Sequence, residues 1–243
     1  MILANVHRRL SREDAQLALH LVARGSGEER ARAEERLRDE GIDALLDDPR
    51  LLGALLDSPR AAHASFPLFA YVVVRHALLQ AGEGDRGIAD YVAAILIHFG
   101  LASRATRISD VDDEVYDSLA RLLEDVDDPD GRRSFLVRAH LGNYALWMSG
   151  LFPDRIETRR WRRGGPDLDY FEEMGRRGYR LAADHRLAAQ HGLSDLYSSA
   201  SERFPLLRTA LNAVSDRLLF PDRHSPERLM RQVRDEARWR HMS

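Results

Sequence analysis

The chain contains no cysteine. That removes disulfides, thiolate nucleophiles, cysteine-ligated zinc and iron–sulfur clusters from the chemistry open to it. It contains no lysine either: all 36 basic residues are arginine. Without lysine there is no Schiff base to a carbonyl or to pyridoxal phosphate, and no phosphate-binding lysine of the Walker type. A GC-rich coding sequence accounts for such a bias, and the exclusions hold whatever its origin. Long apolar runs are also missing. The nearest, Tyr91 to Ile97, ends at His98, as a buried helix would and a membrane span of roughly eighteen residues would not. The net charge of −3 supplies no global field towards nucleic acid or an anionic membrane. Arg8 and Arg9 follow a very short apolar run, which does not read as a secretory signal, so a reducing cytoplasm is the expected location.

What is present reads as helix from end to end. The apolar share of 44% and charged share of 31% belong to an ordinary globular chain, and 243 residues allow one large domain or a small one beside a larger one. Ser11, with Glu13 and Asp14 behind it, predicts an N-cap and an acidic first turn. Glu28 to Glu40 predicts a highly charged helix closed by Gly41. Ala44-Leu-Leu-Asp-Asp-Pro-Arg50 is echoed as Ala54-Leu-Leu-Asp-Ser-Pro-Arg60, so Asp48 and Ser58 are each placed to cap a short helix begun by proline. Pro67 to Leu79 and Ile88 to Phe99 are apolar nearly all round, the mark of helices buried on most sides. Val72-Val-Val74 lacks a hairpin partner and is assigned to the first of these.

Further on, Ser109 and the acids through Glu114 predict a helix to Leu123, and Ser134 to Met148 another. Arg162-Arg-Gly-Gly-Pro166 reads as a hinge. From Asp167 a long helix is expected, its apolar face carrying Tyr170, Phe171, Met174, Leu181, Ala188 and Ala189. Gly175 and Gly178 within it imply close packing or a local break. The positions Tyr197, Ala200, Phe204, Leu207, Leu211, Val214 and Leu218 step by three and four through Pro205, as one kinked helix packed along another would. Ser225-Pro226 opens a last helix to about Arg240. The expected fold is all-α: an orthogonal helical bundle of roughly eight to eleven helices with no sheet. Residues 1–62 form a charged helical subdomain packed on a main bundle of residues 63–243, with a hinge at 162–166.

No spacing in the chain is one that a single chemistry requires, so no catalytic residue, metal site or cofactor is assigned. Asp125 to Gly131 lacks EF-hand ligand order, and no HExxH or ExxH motif occurs. His140, Asn143, Tyr144 and Trp147 share one face of an apolar helix and could line a polar pocket. Arg75 and His98 sit in apolar helices too. Arg75 is expected to pair with Asp90 or to hold a ligand anion, and His98 to line the core or the pocket. Arg155, Arg159, Arg160, Arg162 and Arg163 surround Trp161 and suit an anion, although Glu157, Asp167 and Asp169 are near enough to neutralise them. The leading expectation is a non-enzymatic interaction module acting on a protein partner or on itself, as a homodimer, through the apolar seam from Tyr197 to Leu218. The alternative is a small-molecule pocket lined by His140, Asn143, Tyr144 and Arg75. A third reading is anion or nucleic-acid binding through Arg155–Arg163, and a membrane stands outside the expected partners.

Overall fold

The computed structural model describes residues 1–100, 104–108, 114–116 and 118–242. Fourteen α-helices and no strand occur among them, so the all-α reading is met. The helix count exceeds eight to eleven because several runs that look continuous in sequence are broken by caps. None of the described helices is long and apolar enough to cross a membrane. The helices divide into two compact units, Ile2–His98 and Phe99–Ser243, the second also taking Met1. The sequence-based boundary at 62/63 falls inside the first unit.

In the first unit, α1 (Arg12–Ala23) begins with a full capping box. The Ser11 hydroxyl accepts the Asp14 N–H and the Asp14 carboxylate accepts the Ser11 N–H. α2 (Gly27–Glu40) is charged on nearly every side, buries only Ala33 and ends at Gly41, whose φ of 79° suits glycine. α3 (Asp43–Leu46) leads to α4 (Pro49–Asp57), capped by Asp48, and Ser58 caps the short 3₁₀ turn that follows, as the echoed sequence implies. α5 (Phe66–Gln80) takes in Val72–Val74 as helix, and α6 (Arg86–Gly100) runs across the boundary between the units. Leu45, Leu46, Leu51, Leu68, Val72 and Val74 are fully enclosed and form the core.

The second unit is built on α8 (Gly131–Leu151), which is buried nearly all round. The helix expected from Ser109 lies partly outside the described residues. Residues 114–116 are not helical, and α7 (Leu119–Glu124) begins only after Ser118, which caps it. α9 (Pro153–Arg163) follows α8 through a sharp corner and ends at Gly164, φ 66°. α10 (Leu168–Ala183), capped by Asp167, lies across α8. It stops short of the single long helix expected there, because His185 turns to cap α11 (Arg186–Gln190), its Nδ1 accepting the Leu187 N–H. The buried face of α10 correspondingly runs through Phe171, Met174, Tyr179 and Ala182. Leu181 is only half-buried and Ala189 is exposed.

Gly175 and Gly178 are there for contact. A Cβ on Gly178 would stand 2.7 Å from the Gly142 backbone N of α8 and 2.9 Å from the Arg138 carbonyl, so here the two backbones touch. The expected kinked helix is two helices: α12 (Ser194–Glu202) ends at Arg203, and α13 (Phe204–Val214) restarts with Pro205 in its first turn. A π-helical turn, Ser215–Leu219, continues it. Six of the seven seam positions from Tyr197 to Val214 are buried, and Leu218 is half-buried. The seam faces α8 and α10 of its own unit and offers no apolar face to a partner. α14 (Pro226–Met242) closes the unit.

Candidate functional site

The residues proposed as a polar pocket divide between two fates. His140 is buried on α8 and its Nε2 donates to the Ala105 carbonyl at 2.9 Å, with the ring stacked near Tyr144 and tilted against Phe99. The Asn143 Oδ1 accepts the Tyr179 hydroxyl at 2.9 Å. Both polar groups are engaged inside the unit and hold α8 to its neighbours. Tyr144 and Trp147, on the same face, line a cavity of about 550 Å³.

Arg75 and His98 belong to the first unit and cannot be assigned to that cavity. The expected Arg75–Asp90 pair is not formed. Arg75 makes a bidentate pair with Asp47 at 2.6 and 3.1 Å and donates to the Gly84 carbonyl at 2.9 Å, which occupies its fork. Asp90 accepts the backbone N–H of His7 at 2.7 Å, and burial raises its carboxyl above the usual range against that hydrogen bond. Burial acts on Asp47 in the same direction, but hydrogen bonds and charge from Arg75 and Arg86 outweigh it and leave Asp47 below the ordinary carboxylate range. Arg75 is thus a structural tie between α5 and the end of α3. His98 is half-buried in the last turns of α6.

The cavity's walls come mainly from four α-helices, with Ala105 and Thr106 of a 3₁₀ turn beside them. Leu119 and Ala120 belong to α7, Tyr144, Trp147 and Met148 to α8, Arg155, Ile156 and Arg159 to α9, and Tyr170 and Phe171 to α10. The α8 wall exists because Tyr144 and Trp147 stand three apart and Phe152 and Phe99 brace the Trp147 ring edge-on at 4.9 and 5.6 Å. Apolar and aromatic side chains make most of the lining, and the volume lies within the roughly 300–1,000 Å³ of small-molecule sites.

The arginine cluster lies along α9. Local neutralisation, expected from Glu157, Asp167 and Asp169, reaches Arg160 alone among the five residues: its Nη1 lies 3.9 Å from Glu157 and 3.8 Å from Asp167. Glu157 is buried and pairs more closely with Arg234 of α14 at 3.1 Å, while Asp167 accepts the Tyr170 N–H to cap α10. Arg155, Arg159, Arg162 and Arg163 have no acidic partner among the described residues. Arg155 and Arg159 are one turn apart on the face that borders the cavity, where each faces another cation at i,i+4 without compensation. Such an arrangement costs a few tenths of a kcal/mol per pair and is relieved by a bound anion.

The structure thus joins two sets that the sequence leaves separate, Tyr144 and Trp147 with Arg155 and Arg159. Tyr170, Phe171 and Met148 complete the lining and were not foreseen, since nothing in their spacing distinguishes lining from core. No family model, curated protein or solved structure matches this chain.

Proposed function

We propose that the protein binds an amphipathic anion, with an apolar or aromatic body inside the cavity against Tyr144, Trp147 and Phe171 and an acidic group held by Arg155 and Arg159. One observation carries this reading. A cavity of about 550 Å³ with mostly apolar walls is bordered by two arginines that have no acidic partner among the described residues. Guanidinium forks present paired donors in the geometry of a carboxylate or phosphate, and the aromatic walls favour a body that water rejects.

Decanoate, a ten-carbon chain ending in one carboxylate, is a suitable probe for titration calorimetry. Saturable binding is expected, weakened about tenfold (~1.4 kcal/mol) by Arg159→Gln and abolished by Ala120→Trp, which plugs the cavity from an exposed position. Absence of saturable heat with the wild-type chain, or undiminished binding by the plugged variant, removes the reading.

Self-association keeps one supporting observation after the loss of the seam. Leu229, Met230 and Val233 of α14 are 62%, 72% and 57% exposed on one side of that helix. A homodimer that forms through them would sediment as a dimer and become monomeric in Met230→Glu. A wild-type chain that sediments as a monomer at all concentrations counts against it.

A further inference from the structure

We infer that the acidic group of this ligand is a phosphate ester rather than a carboxylate, because Arg155 and Arg159 also line a second, arginine-walled pocket beside the cavity. The inference rests on the reading of the apolar cavity above. The second chamber, of about 650 Å³, shares Arg155 and Arg159 with the first. Arg162 and Arg163 from the end of α9 and Arg223 from the segment before α14 complete its cationic wall. The Arg223 guanidinium stands 5.0 Å over the Phe220 ring, a cation–π contact that favours this placement. Only one acid, Asp154, reaches this lining, and its carboxylate is held by Arg228 at 2.6 Å and Arg231 at 3.4 Å.

Five guanidinium groups around one neutralised acid call for more than one negative charge. A carboxylate carries a single charge on two oxygens and can satisfy Arg155 and Arg159 at the junction. A phosphate monoester carries about 1.5 to 2 negative charges at neutral pH and three strong acceptor oxygens, enough to engage the junction pair and reach the arginines beyond it. The ligand class is therefore an alkyl or aryl phosphate.

The test compares n-decyl phosphate, decanoate and inorganic phosphate on the full chain, with Arg162→Gln/Arg163→Gln as the variant. Those two residues line only the second chamber, are exposed, and have no acidic partner to strand. Decyl phosphate is expected to bind at least tenfold more tightly than decanoate and more tightly than inorganic phosphate. The double variant should erase that advantage while leaving decanoate affinity unchanged. Equal affinity of decyl phosphate and decanoate overturns the phosphate assignment and leaves the apolar cavity standing. Inorganic phosphate binding as tightly as decyl phosphate overturns it too, by showing a free-anion site that does not use the cavity. Binding of neither amphiphile removes the cavity reading and this inference together.

Discussion

Two helices of the Phe99–Ser243 unit, α10 and α14, are docked by opposite means. α10 presents Leu168, Phe171, Met174, Tyr179 and Ala182 inwards and reaches backbone contact with α8 at Gly178 and Gly142. α14 turns charge inwards. Arg228, Arg231 and Asp235 are buried while Leu229, Met230 and Val233 face out. Its anchors are ionic: Arg208 to Asp235 at 2.8 Å, Arg228 to Asp154 at 2.6 Å, Arg231 to Asp216 at 2.7 Å and Arg234 to Glu157 at 3.1 Å. A cleft of about 550 Å³ lined by α13 and α14 remains, and Arg231 Nε finds no acceptor among the described residues. Apolar burial adds stability in proportion to area, whereas buried ion pairs gain in attraction little more than they lose in desolvation. The comparison teaches that one unit can dock one helix by apolar and backbone contact and another by buried charge, and that burial alone does not tell them apart.

The sharpest way to break this comparison is at the α8–α10 contact. Gly178→Ala puts a Cβ against two backbone atoms that have nowhere to go, and is expected to cost about 3 kcal/mol or more in chemical denaturation. Gly142→Ala meets the buried Tyr179 ring, which Asn143 and Tyr197 hold in place, and should be destabilising too. If both are neutral, the backbones are not in contact and the α8–α10 packing is an ordinary apolar one. On the other side, Arg208→Met takes the buried Asp235 carboxylate's partner away, a change that costs about 3–5 kcal/mol where the structure cannot yield. Here α14 can lift away and let Asp235 meet water, so the loss is expected to stay near 1–2 kcal/mol. Hydrogen exchange would show protection lost at 226–236 and kept at 168–183. Loss of protection in both helices at once would mean that α14 is as integral as α10.

The smallest effect concerns whether ionic anchoring is peculiar to α14. In the other unit Asp48 accepts from the Arg50 side chain and backbone N–H and from Arg36. Burial alone would raise its pKa, but those donors outweigh it and bring the carboxyl down to about 2. A depressed folded-state pKa gives stability that is fully present above the unfolded value near 4 and lost as pH falls from there towards 2. Stability is therefore expected to decline across that window by about 1 kcal/mol, solvent screening included, and Asp48→Asn should flatten the decline. A wild-type profile that stays level between pH 4 and 2 shows that the tie at Asp48 adds nothing.

Much of the helical layout is legible in the chain because its signals are local. Ser11 with Asp14, Asp48 before Pro49 and Gly41 after α2 each act within one turn, and each cap forms where the spacing puts it. The stepping from Tyr197 to Leu218 correctly marks an apolar face, but periodicity does not say what covers a face, and here α8 and α10 do. Arg75 shows the same gap. Burial demands a partner, and the one supplied is Asp47, 28 residues away and beyond any helical spacing. The arginines of α9 were visible as a cluster, yet their acids were close in sequence and pointed elsewhere in space.

What the sequence determined by itself was therefore the all-α class, caps such as those of α1, α2 and α4, and the chemistry ruled out by the missing cysteine and lysine, all properties of single turns or of composition. Only the tertiary structure decided that Tyr144 and Trp147 border a cavity with Arg155 and Arg159, that Arg75 is structural, and that α14 faces inside out. Those outcomes depend on which surfaces of distant segments meet, and the balance of burial, desolvation and pairing that selects them exists only in the packed chain.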